Sequence, residues 1–167
     1  QVAVLDGGLR AWIAAGMTTA DSLDLDPPAG NFEASYAEES FCDCSVVLAS
    51  LDDPGCVILD ARSSGRFFGT APEPRPGIRG GHMPNARNLP FPELLNEGEM
   101  RAVAELREIF SAFLTDDKRL ITSCGSGLTA CILTFAAFLA GHRNLSVYDG
   151  SWIEWGAPSK LPVVTDS

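Results

Sequence analysis

Apolar positions along the chain follow two alternating patterns. Short continuous runs, at residues 2–5 (VAVL), 56–59 (CVIL), 120–121 and around Val147, read as strands buried on both faces, as in a parallel sheet. Between them lie stretches with helical spacing. Residues 101–114 put Val103, Leu106, Ile109, Phe110, Phe113 and Leu114 on one stripe. Residues 9–15, 45–51, 130–139 and 151–155 read as further helices, and Gly16 and Gly141 stop the first and third of these. Residues 31–34 form a candidate strand, and residues 91–96 start a short helix. Residues 52–55 (DDPG) and 116–118 (DDK) are turns. Such alternation predicts an α/β domain with an open parallel sheet, helices on both faces and ligands at the carboxyl ends of the strands.

One pattern occurs twice. Val4-Leu5-Asp6-Gly7-Gly8-Leu9 and Trp12 match Val147-Tyr148-Asp149-Gly150-Ser151-Trp152 and Trp155. The repeated strand, turn and helix predict that residues 1–16 close a preceding domain and that a complete domain follows at 31–157. The alternative is that residues 2–5 add a strand to this same sheet. Residues 17–30, polar and ending in Pro27-Pro28, read as an extended linker, and residues 158–167 as a loosely held tail.

Composition narrows the function. A net charge of −10 argues against nucleic acid or an anionic membrane as partner, so any anion site must be a local positive pocket. The longest apolar run, residues 128–140, is too short for a membrane span. Five cysteines, Cys42, Cys44, Cys56, Cys124 and Cys131, are an odd set and suggest free thiols in a reducing compartment, cytoplasmic or mitochondrial. Cys42-Asp43-Cys44 is one residue short of a metal-binding pair and has no second pair, so no metal is expected. Cys131 is expected in the core.

The chemistry concentrates at residues 119–141. A short strand enters the loop Cys124-Gly125-Ser126-Gly127-Leu128-Thr129, and an apolar helix follows. Two glycines let backbone N–H groups converge, and the helix N-terminus adds partial positive charge. A cysteine at that turn is expected to be a nucleophilic thiolate, with the N–H groups holding an anion or an extra sulfur. A phosphatase-type loop would carry an arginine after five residues; here that position is Ala130, which argues against phosphate chemistry. Residues 63–81, rich in glycine and proline, read as a long loop that carries Arg66, Arg75 and Arg79.

Four separated segments carry a resemblance: CGSGLTA at 124–130, DARSSGRFFGTAPEPRPG at 60–77, GHMPNARNLPF at 81–91 and YDGSWIEWG at 148–156. In that content and order the chain resembles the 3-mercaptopyruvate sulfurtransferases of the rhodanese superfamily, in their C-terminal catalytic domain. Leu128 stands where that family more often has valine. Thiosulfate-specific rhodaneses usually have arginine and lysine where Gly125 and Ser126 stand.

The resemblance implies a rhodanese-like sheet and a set of roles. Cys124 would be the nucleophile and Ser126 a proton-path hydroxyl. Arg66 and Arg75 would hold the carboxylate and ketone of 3-mercaptopyruvate. The N–H groups of Gly125, Ser126, Gly127, Leu128 and Thr129 would hold a persulfide. Asp60 would be structural, as a cap or a pair with Arg62, rather than catalytic, and His82 would organise a turn rather than act as a base. Arg79 and His142 are expected at the surface, and Trp152 and Trp155 in the core. A thiol acceptor such as thioredoxin or a small thiol, or cyanide, would take the sulfur, with no metal or organic cofactor. An acid and a histidine that complete the serine relay would lie in the preceding domain. A thiosulfate:cyanide sulfurtransferase and a non-enzymatic persulfide carrier are the alternatives.

Overall fold

The computed structural model describes residues 2–22, 29–115 and 117–165. Among the described residues there are seven strands: β1 (Phe41–Cys42), β2 (Cys56–Asp60), β3 (Arg87–Asn88), β4 (Leu95–Asn96), β5 (Glu99–Met100), β6 (Arg119–Ser123) and β7 (Leu145–Tyr148). The helices are α1 (Gly8–Ala14), α2 (Cys44–Ser50), α3 (Ser64–Phe67), α4 (Val103–Ser111), α5 (Ala130–Ala140) and α6 (Ser151–Trp155). Five strands form one parallel sheet in the order β1-β7-β6-β2-β3, and β4 and β5 form a separate antiparallel pair. The expected α/β architecture, an open parallel sheet with helices on both faces, is the observed one.

The apolar runs at 56–59 and 120–121 become the two central strands because each has side chains buried on both faces. Val57, Leu59, Leu120 and Val147 face α4 and α5, meeting Leu106, Phe110, Leu133 and Ala137. Their neighbours Ile58, Ile121 and Tyr148 face the other way, onto Val47 of α2 and Trp152 and Trp155 of α6. Buried alanines along α5 let that helix close on the sheet. Gly141 ends it in the left-handed region at φ 118°. Asp43 starts α2 by accepting a hydrogen bond from the Val46 N–H at 3.0 Å. The Trp152 and Trp155 anchors are both fully buried.

Several expectations fail for identifiable reasons. Residues 2–5 pair with no strand and are exposed, so they do not extend this sheet. Residues 31–34 are likewise unpaired; the edge strand is β1, whose two residues are too few to leave a periodic signal. The segment 91–96 is one turn of 3-10 helix, Phe91–Leu94, followed by β4. The β4–β5 turn uses Glu97 and Gly98 at φ 53° and 96°. The loop at 63–81 contains α3.

The tail is docked rather than loose. Trp155 donates to the Pro162 carbonyl at 2.7 Å, and Val164 and His82 exchange two backbone hydrogen bonds at 2.9 Å. Arg79 is not a surface residue. Its guanidinium donates to the carbonyls of Trp155, Gly156 and Leu161, pinning the end of α6. His142 is half-buried against Phe110, and Cys131 is exposed rather than in the core. Residues 23–28 of the expected linker, Asp116 of the expected turn and residues 166–167 of the tail lie outside the described residues. No helix among the described residues is long and apolar enough to cross a membrane.

Candidate functional site

The adjacent central strands set the site. Their register pairs Asp60 with Ser123, so β2 and β6 end side by side. The chain leaving β2 carries Arg62, Arg66, Glu73 and Arg75, and the chain leaving β6 carries Cys124 to Thr129. Residues 63 positions apart in sequence, Asp60 and Ser123, thus end together at the carboxyl edge of the sheet, where open α/β sheets bind ligands.

A cleft of about 180 Å³ opens there, lined by Arg66, Glu73, Pro74, Arg75, Ile78, Gly125, Ser126 and Ile153. It brings together four of the residues expected at the site: Arg66, Arg75, Gly125 and Ser126. Cys124 is 2% exposed, and the residues that follow it form the adjoining cleft wall. Gly127, Leu128 and Thr129 do not line the cleft; Leu128 is 78% exposed at the loop tip.

Two anchors hold the loop. The Trp152 and Ile153 N–H groups, in the first turn of α6, donate to the carbonyls of Cys124 and Gly125 at 2.9 Å. The Cys124 N–H donates to the Ser151 hydroxyl at 3.2 Å. Gly127 is required as glycine by its φ of 85° and by the Asp149 carbonyl, which lies 3.2 Å from where a Cβ would sit. Among the described residues, no group accepts a hydrogen bond from the backbone N–H of residues 125–129. These donors are available to an anion at the head of α5.

The arginines differ in their freedom. Arg62 is fully buried; it pairs with Asp60 at 2.7 Å and with Glu73 at 2.8 Å and stacks on Trp152 at 4.1 Å. The expected Asp60–Arg62 pair is therefore present. Arg66 is partly exposed and gives its Nη2 to Glu73 at 2.5 Å and its Nε at 3.2 Å. Its guanidinium lies over Gly125, whose added Cβ would meet Nη2 at 3.0 Å. Arg75 is exposed and makes no ion pair or hydrogen bond among the described residues. His82 donates from Nδ1 to the Phe67 carbonyl at 3.0 Å and stacks on Phe67 at 4.0 Å, which fits turn organisation.

Sequence reasoning missed Glu73 and Ser151. The signal for Glu73 was an acidic residue between Pro72 and Pro74 in an arginine-bearing loop. The signal for Ser151 was its match to Gly8 in the repeated pattern, since glycine marks a left-handed position. Both residues are left-handed, at φ 57° for Gly8 and 48° for Ser151. Desolvation first, then Cys124 and Asp149, pushes the Cys131 thiol above its ordinary value and leaves it a poor nucleophile.

The chain is similar to known proteins over most of its length. The family described as Rhodanese-like domain matches residues 44–158. The 3-mercaptopyruvate sulfurtransferase of Escherichia coli (strain K12) is 38% identical over 164 residues, 98% of this chain and 58% of that protein. The thiosulfate sulfurtransferase of Bos taurus is 37% identical over 157 residues, 92% of this chain and 52% of that protein. The wild-type structure of EanB superposes with a TM-score of 0.85 at 23% identity, covering 98% of this chain and 40% of that one, which bears on the fold alone. This chain thus spans a little over half the length of the curated relatives it matches.

Proposed function

The chain belongs to the family of rhodanese-like domains, and on that premise we propose that it is the catalytic domain of a 3-mercaptopyruvate sulfurtransferase. One observation carries the reading. Two arginines meet Gly125 and Ser126 of the loop in a cleft beside Cys124, and that loop bears a neutral serine and no cation. Two guanidiniums suit an α-keto acid, one taking the carboxylate and one the ketone. The neutral Gly125-Ser126 pair favours this donor over thiosulfate, a choice that overall identity leaves open.

The steps follow from these positions. The Cys124 thiolate attacks the donor's sulfur, and the carbon–sulfur bond breaks with its electron pair moving onto the ketone. The developing enolate is stabilised by Arg66 and Arg75. A proton delivered along a path through Ser126 converts it to pyruvate. Cys124 then holds the sulfur as a persulfide against the N–H groups of Gly125 to Thr129. A thiolate acceptor, from thioredoxin or a small thiol, attacks the outer sulfur and restores Cys124; cyanide serves the same purpose in vitro. The result is ping-pong kinetics with no metal or organic cofactor in either half-reaction.

The domain reading belongs to this proposal. Residues 1–16 are the last strand and helix of a preceding rhodanese-like domain, 17–30 a linker, 31–157 the catalytic domain and 158–167 a tail. Two observations support it: the shared left-handed residue at the heads of α1 and α6, and the greater length of the relatives. The unpaired residues 2–5 would be a strand whose sheet lies in that preceding domain. The relay partners of Ser126 would also lie there, so the chain alone turns over slowly. Its compartment is a reducing one, cytoplasmic or mitochondrial.

The test is intact-protein mass after one exposure to 3-mercaptopyruvate, beside a Cys124→Ser control and a thiosulfate sample. A gain of one sulfur, absent in the control and weaker with thiosulfate, supports the reading. Equal or greater loading from thiosulfate replaces it with the thiosulfate activity. Loading only from a donor protein's persulfide replaces it with a carrier module. Fusing the upstream domain should raise turnover, and no gain defeats the relay part.

A further inference from the structure

Glu73 is a buried titratable side chain at the cleft that the sulfur-transfer chemistry leaves unused. Its side chain is 4% exposed, yet it lines the cleft. It accepts from two guanidiniums at once: from Arg62 Nη1 at 2.8 Å and from Arg66 Nη2 at 2.5 Å. The Arg62 charge is already matched by Asp60 at 2.7 Å. What faces the cleft is therefore Arg66, Arg75 and the Glu73 carboxylate, two positive charges and one negative. Glu73 also takes the Nε–H and one Nη2 N–H of Arg66 and matches its charge, leaving the Nη1 N–H groups and the other Nη2 N–H for a ligand, whereas Arg75 keeps its whole fork and its unmatched charge.

We propose that Glu73 is a specificity-determining residue that matches the cleft to a sulfur donor with one negative charge and disfavours donors with two. The inference rests on the reading of Cys124 as the sulfur-accepting nucleophile. A single carboxylate is satisfied bidentately by Arg75, and the Nη1 end of Arg66 serves the adjacent ketone. A second negative charge on the donor finds no free cation and faces the Glu73 carboxylate across a small cleft. Arg66 without Glu73 would be a second cation with an unmatched charge.

Single-turnover loading of Cys124 by 3-mercaptopyruvate, a monoanion, and by thiosulfate, a dianion, tests this in the wild-type chain, Glu73→Gln and Glu73→Asp. Glu73→Gln is expected to move the thiosulfate-to-mercaptopyruvate rate ratio about tenfold toward thiosulfate. Glu73→Asp, which keeps the charge and changes the reach, is expected to slow both donors and hold the ratio. Equal loss with both donors in Glu73→Gln, or the same ratio change in both variants, makes Glu73 a structural brace and overturns the proposal. Calorimetric binding of pyruvate and sulfate to the Cys124→Ser chain, with and without Glu73→Gln, reads the same charge match with no sulfur transfer. A relative gain for sulfate supports it even if the sulfur chemistry fails, and unchanged relative binding overturns it even if that chemistry holds.

Discussion

The Ser151 hydroxyl accepts the backbone N–H of Cys124 at 3.2 Å and donates to the Tyr148 carbonyl at 2.8 Å. A residue held at φ 48° thereby ties the start of the cysteine loop to the end of β7. Ser151→Ala leaves a buried N–H and a buried carbonyl without that partner, and is expected to cost about 1–3 kcal/mol. Ser151→Gly loses the same hydrogen bonds but relieves the left-handed backbone, so its loss should be smaller. Urea denaturation of the two variants checks the order; Ser151→Gly being the weaker would contradict it.

The chain Asp60–Arg62–Glu73–Arg66 alternates in charge from the end of β2 to the cleft. Arg62→Met leaves the buried Asp60 carboxylate without its guanidinium and Glu73 with Arg66 alone, and is expected to destabilise the domain by about 3–5 kcal/mol. Chemical denaturation measures this, and a change below about 1 kcal/mol would show that neither carboxylate depends on Arg62.

Gly125 and Gly127 should fail differently. A methyl on Gly125 meets the Arg66 guanidinium, the far end of a partly exposed side chain, so Gly125→Ala keeps stability within about 1 kcal/mol. It displaces Arg66 from the cleft, and sulfur loading from 3-mercaptopyruvate should fall about tenfold or more. Gly127→Ala instead meets a backbone carbonyl at φ 85° and should cost about 1–2 kcal/mol of stability. Stability and loading measured on both variants separate the two causes.

Stability should fall in alkali through Cys42. Desolvation in the core beneath β1 pushes its thiol from the ordinary 9.0 up to about 11, and Arg119 opposes this only in part. Below pH 9 both folded and unfolded chains hold the proton, and the stabilising effect of burying the neutral thiol is fully present. Between about pH 9 and 11 the unfolded chain releases it while the folded chain does not, so rising pH favours unfolding. Urea midpoints across that range should decline, and Cys42→Val should flatten the decline.

The sequence by itself determined the architecture and half the site. The run at 56–59 reads as a strand covered on both sides, because four consecutive apolar residues leave it no polar face to turn to solvent, and the shorter 120–121 run follows it as the neighbouring strand. Cys124 between a strand and a helix was legible for the same reason, and so was its glycine-bearing loop. Arg66 and Arg75 were legible only through resemblance, since composition reads them as a solvated basic loop.

Tertiary structure decided the rest. Residues 2–5 have the pattern of a strand but no neighbour to pair with, and β1 pairs with β7 without enough residues to show a pattern. Glu73 and Ser151 carry no periodicity at all. Their importance arises where the β2 and β6 ends lie side by side and bring Arg62, Arg66 and the Cys124 loop within hydrogen-bond reach. Periodicity records which face of an element is buried. It does not record which distant side chain a buried charge or a buried N–H will meet, and those meetings fix the charge and shape of the cleft.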